Sequence, residues 1–334
     1  MPFLEKIAVT GGGGYCGTRL VPQLLSHGYS VTVLDTFWFD NYLPAKHPKL
    51  RIIQGDIRDP DVLKNALIGQ DAVIHLACIS NDASFELDET LSTSVNLHAF
   101  EPMVVASKEF GVKRFIYVSS SSVYGVSDEP NVTEEHPLMP LTLYNKYKGM
   151  CEPLLFKHTN ENFVGVVFRP ATVCGYSPRQ RLDLSVNILT NLAINKRKIT
   201  VFGGTQMRPN LHIQDYCDAI TTLLAVESSK IQNQIFNFGS QNLTISDISL
   251  IVKRIVEKEF PGPEITIETT SSEDNRSYHI NSDKIARILG IVPKLTVEDA
   301  IVEICTAFKS GLLPNSLEDD RYFNVKKLKR IQAQ

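Results

Sequence analysis

The chain has 334 residues, 43% hydrophobic and 21% charged, with a net charge of −3. That length holds one large domain or two that share an interface, and the absence of a basic excess excludes an electrostatic surface for nucleic acid. No long apolar stretch marks a membrane span, and Met1-Pro2-Phe3-Leu4-Glu5-Lys6 runs straight into a strand pattern without a signal-segment layout, so a cytoplasmic protein is expected. Cysteines at 16, 78, 151, 174, 217 and 305 form no CxxC pair and no zinc spacing. They are expected to be reduced, with no metal site.

In chain order, β-branched runs predict strands at Ile7–Val9, Val31–Leu34, Arg51–Ile53, Ala72–Ile74, Phe115–Val118 and Val164–Phe168, with helical patterns between them. Strands that are apolar on both faces and joined by helices specify a covered parallel sheet. The expected fold class is therefore α/β: a doubly wound parallel sheet over residues 1–174 with a smaller, interleaved α/β substrate region over 175–208 and 241–330. The two interleave because Ile235-Phe236-Asn237-Phe238-Gly239 reads as a strand returning to the first domain, somewhere within about 209–240. Helices are predicted at Leu184–Asn195, Ser246–Glu259, Asp283–Leu289 and Val297–Lys309, with Ser282 as an N-cap and Gly290 and Gly311 as stops.

Thr10-Gly11-Gly12-Gly13-Gly14-Tyr15-Cys16-Gly17 follows the first strand and opens a helix. Glycine permits the tight turn and the close approach of a pyrophosphate, which the helix N-terminus then attracts, so this is a Rossmann-type dinucleotide site. The run satisfies both Gly12-x-Gly14-x-x-Gly17 and Gly11-x-x-Gly14-x-x-Gly17, and sequence does not choose between them. Asp35 ends the second strand about 20 residues beyond the turn, where a carboxylate accepts ribose hydroxyls and repels a 2′-phosphate, which favours NAD. Asp56, beside Ile57, either receives the adenine amino group or caps the helix near Pro60. Tyr15, Cys16, Ile57 and Pro170 join the cofactor candidates.

Two later segments carry chemistry: Val118-Ser119-Ser120-Ser121-Ser122-Val123-Tyr124-Gly125, and Tyr144-Asn145-Lys146-Tyr147-Lys148 opening a helix. Four residues apart, Tyr144 and Lys148 share a helix face, so the ammonium is expected to pull the phenol pKa down from about 10 towards working pH. A serine hydroxyl then shares the substrate oxygen. Together with the glycine turn, these residues resemble the extended short-chain dehydrogenase/reductase superfamily, in particular the nucleotide-sugar epimerases and dehydratases typified by UDP-galactose 4-epimerase.

The resemblance implies that Ser120 is the catalytic hydroxyl, Tyr144 the base and Lys148 its electrostatic partner, with Ala77 near the cofactor. It also implies a nucleotide-diphosphate sugar near Ser80, Asn96, Ser120, Thr172, Asn187 and Arg276, with Arg208 on its diphosphate. Thr172 stands where the family often has Asn, and Ser271 where it often has Arg. Arg179 and Arg181, in the loop Tyr176–Arg181, are expected to add contacts to phosphate or to a sugar carboxylate. Dehydratases of the family carry Asp-Glu where this chain has Ser121-Ser122, and serine hydroxyls cannot move those protons at neutral pH. The expected reaction is thus inversion at C4 through a 4-keto intermediate. A 4-keto-sugar reductase, a 2-epimerase and a silent NAD-binding sensor are the alternatives. Helices near Asp88–Gly111 and Tyr144–Thr159 resemble those that form a four-helix homodimer interface in the superfamily. His75 and His212 read as structural.

Overall fold

A computed structural model describes residues 4–127, 129–271 and 277–332. Twelve strands occur in it: β1 Lys6–Thr10, β2 Ser30–Asp35, β3 Leu50–Gln54, β4 Ala72–His75, β5 Arg114–Val118, β6 Val164–Pro170, β7 Thr172–Cys174, β8 Lys198–Phe202, β9 Met207–His212, β10 Gln234–Phe238, β11 Gln241–Thr244 and β12 Thr266–Thr270. Seven of them form one sheet in the order β10-β6-β5-β4-β1-β2-β3, every pair parallel. Its central strands are sealed, as their unbroken apolar runs require: Val9, Ile74, Ile116 and Val166 have no exposed surface. Strand β3 lies at the edge, so Ile52 is 37% exposed despite its apolar side chain.

The chain leaves β1 towards β2 on one side, and β4 lies on the other. That reversal opens a crevice beyond the carboxyl ends of the strands, the place where such sheets bind ligands. The second region adds a three-stranded sheet, β11-β9-β7, and a parallel pair, β12-β8. The expected return to the main sheet is made by β10 on β6, whereas Met207–His212 pairs with β7 and β11. Strand β7 departs from the main sheet right after Ala171 and draws β9 away with it.

Most helix limits follow the sequence pattern, with Ser185–Lys196, Ile245–Glu259, Asp283–Leu289 and Val297–Lys309 in place. Gly290 and Gly311 adopt φ of +68°, the left-handed conformation that ends a helix. Ser282 does not cap with its side chain. Its Oγ instead accepts from Gly239 N (2.9 Å) and donates to Gly239 O (3.1 Å), tying the helix to the end of β10. All six cysteines are free. Among the described residues no helix is long and apolar enough to cross a membrane.

One buried ion pair fastens the helix Leu143–Phe156 to the sheet. Arg169, on β6, donates from Nε (2.9 Å) and Nη2 (2.5 Å) to the Glu152 carboxylate, and both side chains are 3% exposed. Removing one partner strands an uncompensated charge. Glu152→Ala should therefore lower the unfolding free energy by about 3–5 kcal/mol, read from urea denaturation.

Candidate active site

The glycine turn distributes three separate constraints. Gly11 has a φ of +75°, and a Cβ there would sit 2.5 Å from Ala77 N. At Gly17 a Cβ would lie 2.5 Å from Gly12 O, whereas at Gly14 it would meet only Gly11 O, at 3.3 Å. Gly14 is open because it faces the cavity. Backbone closeness thus selects the Gly11-x-x-Gly14-x-x-Gly17 reading, and Gly12 instead packs against the Val33 side chain. The helix Gly17–Ser26 begins without a side-chain cap; Thr18 N donates to Gly14 O (2.9 Å), and Arg19 N (3.2 Å) and Leu20 N (2.9 Å) to Cys16 O, so it is the amides of Tyr15 to Gly17, just ahead of them, that face an anion at the turn.

Asp35 sits at the end of β2, accepting from Gly13 N on Oδ2 and from Phe37 N on Oδ1, each at 2.8 Å. Each oxygen keeps a lone pair for a ribose hydroxyl. Burial pushes its pKa up, opposed by those amides and by Arg179. Asp56 is not a helix cap: Asp59 accepts from Asp61 N (2.9 Å) and Val62 N (3.2 Å) in that role. Asp56 instead pairs with Arg58 (2.7 Å), which lowers its pKa, and lines the cavity with Ile57.

A single cavity of about 690 Å³ takes in the glycine turn, Asp35, Ala77, Pro170 and the Ser120–Tyr144–Lys148 set. The serine run is sorted by hydrogen bonding. Ser119 Oγ donates to Glu152 Oε1 (2.7 Å), and Ser121 Oγ lies 3.4 Å from Tyr278 OH. Ser122 Oγ donates to Asn145 Oδ1 (2.5 Å), so across the 2.8 Å Ser120–Ser122 contact it is Ser120 that donates. Ser120 Oγ also accepts from Ser122 N (3.2 Å), so its one proton lies on Ser122 and must turn away from it to reach a substrate oxygen in the cavity that Ser120 lines.

The expected electrostatics of the Tyr-Lys pair need correction. Lys148 is buried with its Nζ donating to Val118 O (2.8 Å), 5.3 Å above the Tyr117 ring. Burial carries the Tyr144 phenol well above its ordinary pKa, Asp82 pushes the same way, and the cation that opposes them is Arg181. Lys148 is drawn towards a backbone carbonyl, and so the second cation acts on the phenol. His75 and His212 are structural, as expected: Thr10 Oγ1 meets His75 Nδ1 at 2.7 Å, and His212 accepts from Gln214 N at 3.0 Å.

Of the substrate candidates, Ser80, Thr172 and Arg208 line the cavity. Two asparagines do not. Asn96 exchanges two 2.9 Å hydrogen bonds with the Ile79 backbone, and Asn187 bonds Gly175 N (3.1 Å), Arg181 O (2.9 Å) and Tyr15 OH (3.2 Å). Their polar atoms are spent bracing the loops that form the wall. Tyr15 is likewise braced, donating to Gly175 O (2.7 Å), and it lines the cavity next to Cys16. Arg179 also lines the cavity, its guanidinium 4.0 Å over the Phe39 ring and acting on Asp35. Arg276 lies outside the described residues. Sequence reasoning missed Asp82, which accepts from Thr142 Oγ1 (2.5 Å) beside Tyr144, and Asn324, which reaches the cavity from the last helix. Neither carries a local motif. No cluster of potential metal ligands occurs among the described residues.

A parallel sheet that brings a glycine turn, a ribose-directed carboxylate and a YxxxK helix onto one cavity defines an NAD-binding enzyme of the extended short-chain dehydrogenase type. The chain belongs to the NAD dependent epimerase/dehydratase family, which it matches over residues 7–239. It is 27% identical to a UDP-glucose 4-epimerase of Lactobacillus helveticus, over 91% of this chain and 96% of that one. It is also 27% identical to a dTDP-glucose 4,6-dehydratase of Streptomyces griseus, over 88% and 91%. In structure it is similar to the UDP-glucuronic acid 4-epimerase of Bacillus cereus in complex with UDP-glucuronic acid and NAD, with a TM-score of 0.80, 27% identity and coverage of 91% and 99%.

The residues present fit NAD: an uncapped helix start, an open Gly14 and a carboxylate with lone pairs to spare. Asp35→Ala should raise the Kd for NADH about tenfold, the loss of one charged hydrogen-bonding group. Trp38, the sole tryptophan, lies in the cavity wall and reports that binding by its fluorescence.

Proposed function

We propose that the protein is a redox-neutral 4-epimerase of a nucleoside-diphosphate sugar. The observation that carries the reading is the hydroxyl-only neighbourhood of Ser120. Elimination of water across C5 and C6 needs an acid and a base next to the catalytic hydroxyl, and the two residues that follow it are Ser121 and Ser122. The carboxylates in the cavity wall are engaged elsewhere: Asp35 with amides, Asp56 with Arg58, Asp183 with Arg181, and Asp82 with Thr142.

NAD, when bound, supplies the acceptor and later the donor of a hydride. The chain's own part is proton transfer and placement. Tyr144 takes the 4-hydroxyl proton as the phenolate that Arg181 favours against the opposing burial, Ser120 turns its proton from Ser122 to the same oxygen, and Lys148 holds the helix face to the strand end through Val118 O. The 4-keto sugar turns over in the cavity and Tyr144 returns the proton to its O4, so no cofactor is consumed. Arg208 and Thr172 serve the substrate's diphosphate, a role that suits the planar guanidinium fork. The nucleotide-sugar ligands of the relatives support this substrate class.

Incubated with a panel of nucleotide sugars in deuterated water and without added cofactor, the protein should invert C4 with no deuterium at C3 or C5. Net NADH formation or consumption, or carbon-bound deuterium, would sink the reading. Tyr144→Phe should lower kcat by about a thousandfold, within the range that general-base removal produces. Because Arg181 opposes the upward shift at Tyr144, Arg181→Gln should move the acidic limb of the kcat/KM profile to higher pH.

We also propose a homodimer paired through the helices Phe100–Glu109 and Leu143–Phe156, the latter leaving Met150 43% exposed. Light scattering should give twice the 37.3 kDa chain mass, and Met150→Glu should shift it towards monomer.

A further inference from the structure

A guanidinium taken out of water is expensive unless an anion or a full set of acceptors replaces its hydration. Arg179 is 2% exposed, yet it makes no ion pair, and its Nε has no hydrogen-bond partner among the described residues. What it has is one acceptor, Asn324 Oδ1 at 2.6 Å from Nη2, and the face of Phe39 at 4.0 Å. The neighbouring Arg181 differs, because Asp183 accepts from its Nε at 2.8 Å. Burial and that second cation bring the Arg179 pKa down to about 9.

The position of Arg179 identifies the missing anion. Its backbone amide donates to Thr18 Oγ1 (3.2 Å), in the first turn of the helix that follows the glycine turn, and its side chain reaches towards Phe39 and Asp35. It lines the same cavity as Gly11, Gly14 and Asp35. A substrate phosphate held by Arg208 would approach from the second region. A 2′-phosphate in this place would meet the Asp35 carboxylate. We infer that Arg179 is a cofactor-clamping residue, its guanidinium pairing with the diphosphate of NAD, with Asn324 as the residue that positions it.

Asn324 is built for that task. Its amide donates to Asp183 Oδ2 (2.8 Å), its Nδ2 to Ser80 Oγ (3.0 Å), and its Oδ1 accepts from Arg179. The last helix, Asn324–Gln332, thereby ties the arginine loop to the loop after β4 across the cavity. NAD would then be held both by the amides of the glycine turn and by a cation of the loop after β7 that the C-terminal segment positions through Asn324. The inference rests on the family's cofactor and not on the proposed epimerase reaction.

The test measures ligand binding and exchange. Trp38-sensitised NADH fluorescence gives Kd values, with ADP-ribose and adenosine as competitors, and mass spectrometry follows the exchange of retained NAD in holoprotein for an isotopically labelled excess. Arg179→Gln should weaken NADH and ADP-ribose between about tenfold and a hundredfold, as loss of hydrogen bonds to a charged group does. It should speed exchange and leave adenosine within about twofold. Asn324→Ala should shift the same ligands in the same direction by less. If Arg179→Gln does not fold, Arg179→Lys, which keeps the charge without the fork, should show a smaller loss confined to the phosphate-bearing ligands. Unchanged NADH and ADP-ribose binding would overturn the inference, and so would an equal loss for adenosine, which would place the guanidinium on the nucleoside.

Discussion

The buried pair of Glu152 and Arg169 sets the geometry on which the site depends. Glu152 is on the helix that carries Tyr144 and Lys148, and Arg169 is on β6. The carboxylate accepts twice from Arg169 and once from Ser119 Oγ, so one group joins the helix, the strand and the residue before Ser120. Arg169 Nη1 continues to Tyr124 OH (2.6 Å), whose own hydroxyl donates to Asn237 Oδ1 (2.7 Å) on β10. Every link is inside, where a satisfied network is rigid and a broken one is costly. The pair is better understood as a positioning device than as a net source of stability, since burying two charges consumes most of what their attraction returns.

This network explains why, in a run of four serines, only Ser120 is held by nothing but a neighbouring serine. Ser119 is fixed by Glu152 and Ser121 turns towards Tyr278, while Ser122 gives its proton to Asn145 on the Tyr144 helix. The same helix is started by Thr142, whose hydroxyl accepts from Asn145 N (3.3 Å) and donates to Asp82. Tyr144 is therefore fixed at its helix N-terminus by one cap and eight residues later by one ion pair. Between these anchors Lys148 reaches Val118 O, locking the end of β5 to the helix face.

Local signals made the fold and half of the site legible. The glycine turn, the strand-end carboxylate and YxxxK are each geometric consequences of a few adjacent residues, and the structure returns them to one cavity. What sequence could not supply was the destination of side chains whose partners are backbone atoms. Asn96 and Asn187 look like ligand-binding amides, but backbone groups of Ile79, Gly175 and Arg181, together with the Tyr15 hydroxyl, consume them, and a backbone partner leaves no trace in residue identity. The lysine partner of Tyr144 was legible as spacing, and its actual bond to Val118 O was not. Arg179 was visible as a charged loop residue, although its contacts with Thr18, Phe39 and Asn324 were not, the last being 145 residues further along the chain.

The charge layout of the cavity gives these placements a common logic. Two buried arginines follow β7 in one loop, but among the described residues only Arg181 is paired with a carboxylate, Asp183, leaving one positive charge beside the glycine turn. A chain with a net charge of −3 does not bury an unmatched cation for stability. On the inference drawn above, the cation complements an anion that no described residue supplies, and the diphosphate of NAD would bring it. A cofactor seated this way repays a desolvation cost already present in the fold, so its release would re-expose that cost. An enzyme that returns its hydride in each turnover gains from such retention, whereas one that exchanges its cofactor in every cycle would be slowed by it.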